Sequence, residues 1–167
     1  MAVILVGGGA RSGKSRHALT LARACSGPRL FVAAARLLDE EMRLRSRMHQ
    51  AERGSDFDTV EEPIGIQRVL ETSQFAVAVV DCLTLWLSNV MLEGDRDIER
   101  ETENLVRTAA AASAPVILVT NEVGCGIVPE NVLAREFRDH AGRLNQRAAA
   151  AADEVYWLVF GCPLRVK

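Results

Sequence analysis

A glycine-rich run, Gly7-Gly8-Gly9-Ala10-Arg11-Ser12-Gly13-Lys14-Ser15, follows the apolar stretch Val3 to Val6. Gly8, Gly13, Lys14 and Ser15 fit the G-x-x-x-x-G-K-S spacing of a phosphate-binding loop. Glycines let the backbone bend until successive N–H groups converge on phosphate oxygens, and the helix that follows adds its positive end. Gly8, Gly9, Ala10, Arg11, Ser12, Gly13, Lys14 and Ser15 are therefore candidate nucleotide contacts. Lys14 would reach the β- and γ-phosphates of a nucleoside triphosphate, and the Ser15 hydroxyl would ligate Mg²⁺. The alternative is a Gly-rich turn that merely precedes a lysine. An apolar strand before the run and a helical pattern after it favour the phosphate loop.

Asp81 closes the apolar run Ala76-Val77-Ala78-Val79-Val80-Asp81. A phosphate-loop protein needs a carboxylate at the end of a neighbouring strand to hold Mg²⁺, directly or through water. Asp81 is the candidate; the alternative is an Asp that caps the next segment. There are three histidines. On composition, His49 reads as a surface residue in a polar helical stretch, His17 as packed or exposed on the loop's helix, and His140 as structural. Thr120 to Asn131 carries glycines and Pro129 and reads as an irregular loop at the ligand-binding edge. Its Asn121 and Glu122 are candidates to contact substrate or order the nucleotide site, and Asn131 to cap the next helix. Glu122 stands where the guanine-reading motif Asn-Lys-x-Asp needs Lys.

These residues need a frame. Continuous apolar runs at Val3–Val6, Leu30–Ala34, Ala76–Asp81, Val116–Thr120 and Val155–Phe160 predict strands buried on both faces, as in a parallel sheet covered by helices. Helical patterns lie between them. Ser15 to Cys25 repeats Ala18, Leu21, Ala22 and Cys25. Ile98 to Ala112 carries Leu105, Val106 and Ala109. Asn131 to Ala151 has a stripe of Leu133, Phe137, Ala141, Leu144 and Ala148. Together they predict an α/β fold, a mostly parallel sheet flanked by helices, of the RecA-like P-loop NTPase kind, with ligands at the C-terminal ends of the strands. The polar stretch Glu52–Pro63 reads as an excursion, and residues 1–167 as a single nucleotide-binding domain.

Composition narrows the partners. A net charge of −2 offers no broad basic field for nucleic acid. No run of apolar residues is long enough for stable membrane insertion, and no basic segment precedes the first strand. Cys25, Cys82, Cys125 and Cys162 form no C-x-x-C pair, so reduced thiols and a cytoplasmic location are expected.

Several blocks then identify a family. They are Gly8 to Arg16; Asp39 to Met42 with a His seven residues after Met42; Thr59-Val60-Glu61-Glu62-Pro63; and Asp81-Cys82-Leu83-Thr84-Leu85-Trp86-Leu87-Ser88-Asn89. Thr120 to Gly124, Gly126 to Asn131, Gly142 to Arg147 and Ala152 to Val155 complete them. Nearly end to end, the chain resembles the bifunctional adenosylcobinamide kinase/adenosylcobinamide-phosphate guanylyltransferases of cobalamin biosynthesis. The resemblance implies transfer of the γ-phosphate of ATP or GTP to the aminopropanol hydroxyl of adenosylcobinamide. It implies a second reaction in which GTP guanylylates a histidine, and the GMP passes to adenosylcobinamide phosphate. By its spacing from Met42 that histidine is His49, which reverses the reading from composition. The resemblance also implies nucleotide contacts at Ala33, Ala34 and Ala35, at Gln50, Ala51, Glu52 and Arg53, and at Glu61 or Glu62, and it implies a homotrimer. The chain departs from the pattern at Ala34-Ala35, where a Thr or Ser is usual, and at Phe57, where a Trp is common. Without the family blocks, a simple small-molecule kinase or a nucleotide-dependent binding module would remain open.

Overall fold

The computed structural model describes residues 2–36, 50 and 54–167. Its elements run β1 (Val3–Gly8), α1 (Lys14–Arg23), β2 (Arg29–Ala33), β3 (Asp58–Glu61), α2 (Ile66–Thr72), β4 (Val77–Asp81), α3 (Leu83–Leu92), α4 (Ile98–Ala111), β5 (Val116–Asn121), α5 (Val132–Ala151), β6 (Glu154–Val159) and β7 (Cys162–Arg165). The strands form one seven-stranded sheet in the order β3-β2-β4-β5-β1-β6-β7. Each pairing is parallel except β6 with β7.

The apolar runs become central strands because both faces are covered. Val6, Phe31, Val77, Val79, Ile117 and Val119 pack toward Ala18, Leu19 and Ala22 of α1. The alternate residues Leu5, Leu30, Val32, Ala78, Val80, Val116 and Leu118 pack toward the other helices, through Ile66, Leu83, Trp86, Leu87, Leu105 and Leu144. The period of two in a strand sorts a continuous apolar run into two cores, one above and one below the sheet. Phe57 belongs to the α1 side, buried edge-on to Phe31 with ring centroids 6.3 Å apart. It fills a core position there.

Helix starts follow local chemistry. Asn131 caps α5 by accepting from the Ala134 N–H at 3.1 Å, as its sequence context predicts. Asp97 caps α4 through the Arg100 N–H at 3.2 Å. Helix α3 is apolar nearly all round, which suits a helix buried on most sides and hides it from any search for one apolar stripe.

The structure corrects four sequence expectations. The stretch 52–63 is more than an excursion, because it contains β3. That strand's Asp58-Thr59-Val60-Glu61 is too polar to read as buried, and the structure places it at the sheet edge with mostly exposed side chains. The opposite edge strand, β7, was also missed. It is exposed throughout and contains Pro163, which an edge tolerates. Strand β6 ends at Val159, and Phe160 falls in the turn beyond it. Leu133, assigned to the α5 stripe, is 54% exposed in the helix's first turn.

Candidate functional site

The sheet aligns the candidate residues by register. Gly8 pairs with Asn121 on one side and Leu158 on the other. Ala33 pairs with both Asp81 and Glu61. The ends of β3, β2, β4, β5, β1 and β6 thus form one edge, and the phosphate loop leaves it between β5 and β6. This is the edge at which parallel α/β sheets hold ligands.

Main chain builds the loop. Gly13 enters α1 from the left-handed region, at φ 92°, where a side chain would be strained. A Cβ there would also lie 3.4 Å from the Gly161 Cα. At Gly8 a Cβ would lie 2.5 Å from Ser12 Oγ and 3.0 Å from the Leu158 carbonyl oxygen, so close approach requires glycine there too. The Ser12 N–H donates to Gly9 O at 3.3 Å, and the Glu122 N–H donates to Gly8 O at 3.1 Å. From the far side, the Gly161 N–H donates to Ser12 O at 3.0 Å.

Lys14 is only 8% exposed and curls back over the loop, its Nζ donating to Gly9 O at 3.0 Å. An ammonium has three donors, so two remain for phosphate oxygens. Ser15 follows on the first turn of α1. Asp81 ends β4, and its backbone carbonyl accepts from the Ala34 N–H at 3.1 Å. The N-cap position of α3 falls to Cys82, whose own side chain makes no cap, rather than to Asp81. A hydroxyl and a carboxylate are hard oxygen donors. They suit Mg²⁺, which commonly takes one or two protein oxygens and completes its shell with phosphate and water.

Side chains hold the corner after β4. The Asn121 Nδ2 donates to Thr84 Oγ1 at 2.9 Å, and Thr84 Oγ1 lies 3.0 Å from Cys82 Sγ. Burial, reinforced by the charge of Asp81, pushes the Cys82 thiol up to about 11, which keeps it protonated and unreactive at neutral pH. Nearby, Thr120 Oγ1 donates to Asn145 Oδ1 at 2.6 Å. Asn121 is thus an ordering residue between β4 and β5. Glu122 accepts from the Gly124 N–H and stiffens its own turn.

Of the family-implied contacts, Ala33, Ala34 and Ala35 lie at the end of β2 beside Asp81. The Asn89 Nδ2 donates to Ala34 O at 2.8 Å and to Pro63 O at 3.0 Å, which ties the end of β2 to the segment after β3. Glu62 Oε1 accepts from the Ile64 and Gly65 N–H groups at 3.0 and 2.8 Å, so its carboxylate organises the entry to α2. Glu61 ends β3 with an exposed side chain. Gln50 is exposed, and its carbonyl accepts from the Gly54 N–H at 3.2 Å. His49, Ala51, Glu52 and Arg53 lie outside the described residues. His17 packs edge-on to Tyr156, with centroids 5.0 Å apart, and burial lowers its pKa. Among the described residues its buried Nε2 has no hydrogen-bond partner, which fits a packing role rather than a catalytic one.

Sequence reasoning missed Asn89, Thr84 and the β6–β7 turn as parts of the site. The first two sit in the apolar helix α3 and at its start, where nothing local sets them apart. Only the turn left a signal, a glycine (Gly161) closing an apolar run.

Comparisons with known proteins bear on this site. Residues 4–166 match the family model described as cobinamide kinase / cobinamide phosphate guanyltransferase. The chain is 40% identical to the bifunctional adenosylcobalamin biosynthesis protein CobU of Escherichia coli (strain K12), over 99% of each chain. It is 39% identical to the bifunctional adenosylcobalamin biosynthesis protein CobP of Pseudomonas aeruginosa, over 98% of this chain and 96% of that one. Among solved structures, a Pyrococcus horikoshii OT3 protein superposes with a TM-score of 0.58 at 8% identity, covering 99% of this chain and 86% of that one. An ATPase of a bacterial type III secretion system superposes with a TM-score of 0.57 at 11% identity, covering 95% of this chain and 51% of that one. Likeness at such identities speaks to the fold alone, a mostly parallel sheet flanked by helices of the P-loop NTPase kind.

Proposed function

The chain belongs to the cobinamide kinase / cobinamide phosphate guanyltransferase family, and from that premise we propose that it performs two transfers in assembling the nucleotide loop of cobalamin. It phosphorylates the aminopropanol hydroxyl of adenosylcobinamide with ATP or GTP. It then converts adenosylcobinamide phosphate to adenosylcobinamide-GDP with GTP. The observation that carries this reading is the phosphate loop with Lys14 folded into it, on the same sheet edge as Asp81.

In the first transfer, the loop N–H groups and Lys14 hold the triphosphate and offset the charge that develops on the γ-phosphoryl group. Ser15 and Asp81 are the residues that would hold Mg²⁺, which neutralises charge between the β- and γ-phosphates when bound. In the second transfer, the neutral imidazole of His49 attacks the α-phosphorus of GTP. A P–N bond forms, the bond to the bridging oxygen breaks, and pyrophosphate leaves. A phosphate oxygen of adenosylcobinamide phosphate then displaces the imidazole and takes the GMP. Nucleotide contacts from Ala33 to Ala35, from Gln50 to Arg53 and from Glu61 belong to this reading. Glu61 is preferred to Glu62, whose carboxylate is already engaged by backbone N–H groups.

Among the described residues no helix is long and apolar enough to cross a membrane. Action in the cytoplasm, as one domain and as a homotrimer, completes the proposal. The test is product formation. With γ-labelled nucleotide, Mg²⁺ and adenosylcobinamide, label should appear in adenosylcobinamide phosphate, and added GTP should convert that product to adenosylcobinamide-GDP. Failure to form either product overturns the reading.

A further inference from the structure

Among the described residues two non-glycines have positive φ, Phe160 at 50° and Arg11 at 56°. Arg11 lies in the phosphate loop. The Ser12 N–H donates to Gly9 O at 3.3 Å and closes a four-residue turn with Ala10 and Arg11 at its centre. A positive φ at the third place of such a turn suits glycine or asparagine, because a Cβ there is strained. The bend itself serves the loop, since a left-handed residue within a turn helps aim successive N–H groups at one anion. Glycine would supply that bend without strain. Arginine adds a side chain, which is exposed and makes no hydrogen bond or ion pair among the described residues. It contributes nothing to the core, so its use lies with the loop's ligand.

Lys14 shows where that ligand sits. Its Nζ, the group that reaches the β- and γ-phosphates, donates to Gly9 O, the first carbonyl of the same turn. The terminal phosphate therefore borders the turn that carries Arg11. The ends of a β-turn lie within about 7 Å of each other, a distance that an arginine side chain spans. A guanidinium keeps its charge at any working pH. It offers five donors in one plane, which match two oxygens of a phosphoryl group at once. The lysine ammonium lacks that paired geometry.

We propose that the Arg11 guanidinium is a catalytic contact to the γ-phosphoryl group during its transfer to adenosylcobinamide. This rests on the transfer reading above and gives that site a second side-chain cation. The acceptor hydroxyl oxygen forms a bond to the γ-phosphorus. The bond to the β–γ bridging oxygen breaks, its electron pair stays with the departing nucleoside diphosphate, and the hydroxyl proton passes to solvent. Charge spreads over the three equatorial oxygens of the phosphoryl group as it moves. Lys14 is shared with the β-phosphate, whereas Arg11, on a long exposed side chain, follows the group in flight.

The test uses Arg11→Gly and Arg11→Lys in the full chain. Glycine suits the backbone, so Arg11→Gly should melt at or above the wild-type temperature. Its kcat for phosphorylation of adenosylcobinamide with ATP should fall about 10- to 150-fold, the worth of one hydrogen bond to a charged group. Titration calorimetry with ADP should give wild-type affinity, because ADP lacks the phosphate that Arg11 contacts. Arg11→Lys should fall between wild type and Arg11→Gly, since a point charge replaces a planar fork. Wild-type kcat in Arg11→Gly would overturn the proposal, as would Arg11→Lys no more active than Arg11→Gly. A matching loss of ADP affinity, or a lower melting temperature, would overturn it by making Arg11 part of the loop's framework. Should wild type itself form no adenosylcobinamide phosphate, the transfer reading fails and this contact with it. An active wild type with an equally active Arg11→Gly defeats the contact alone.

Discussion

Across the C-terminal edge of the sheet, the phosphate loop after β1 is held by main chain, while the corner after β4 is held by side chains. In the loop, Gly8 and Gly13 permit the path, and the carbonyls of Gly8 and Ser12 accept from neighbouring segments. In the corner, Cys82, Thr84 and Asn121 contact one another beside Asp81. A loop that binds with amides needs glycines and a cation folded over them, here Lys14. A corner that orders the end of β4 draws its side chains from separate elements, here the residue after β4, α3 and β5.

That contrast predicts how each region breaks. The largest effect belongs to the buried loop lysine. Lys14→Ala should slow phosphorylation of adenosylcobinamide roughly 100- to 1,000-fold, as for loss of one preorganised transition-state donor, with the melting temperature little changed. Steady-state kinetics beside a thermal melt measures this. A comparable fall in melting temperature would make Lys14 a structural residue.

Next comes the carboxylate. Asp81→Asn should lower activity on the order of 10- to 100-fold, a range typical of disturbed metal sites. Added Mg²⁺ should recover part of the loss, and an activity curve against Mg²⁺ that does not shift would remove Asp81 from the metal's surroundings.

The backbone itself is tested by Gly13→Ala. A left-handed residue bearing a Cβ costs about 1–2 kcal/mol, so the melting temperature should fall by about 2–8 °C for a chain of this size. In the corner, Asn121→Ala removes a bond worth about 1 kcal/mol, or about 2–4 °C. It should reduce kcat more than it changes nucleotide affinity, because Asn121 acts through the corner and not on the phosphate. Equal losses in both would merge the two regions into one.

How much of this was legible in the sequence follows the same division. A main-chain site announces itself locally, because glycines and lysine must stand at fixed spacing, and Gly8 to Ser15 were readable as they stood. Asp81 was readable because it ends an apolar strand. In the corner, Asn121 was readable as a candidate to order the site, but its partner Thr84 was not, since β5 and α3 meet only through the crossovers that order the strands. Edge strands β3 and β7 were missed for a related reason: exposed strands carry polar residues and a proline, and the apolar signal fades where one face meets water. His49 was assigned by family spacing alone, since a histidine in a polar helical stretch has no local mark of a nucleophile.

The smallest expected effect lies beneath the loop. Burial holds the folded pKa of His17 below its ordinary 6.5, so the unfolded chain binds the proton more readily. Stability should therefore fall as pH is lowered through about 6.5. Melting temperatures at pH 7.5 and 5.5 should differ less in His17→Gln than in wild type, and an equal difference would remove His17 from the acid response.

The central claim is that one chain carries both transfers, the second through a histidine, and α-labelled GTP tests it most directly. Incubated with Mg²⁺, the wild-type protein should retain label in a bond that is acid-labile and alkali-stable. His49→Ala should retain none, and Lys14→Ala far less than wild type. An unlabelled wild type, or undiminished label on His49→Ala, would contradict the account.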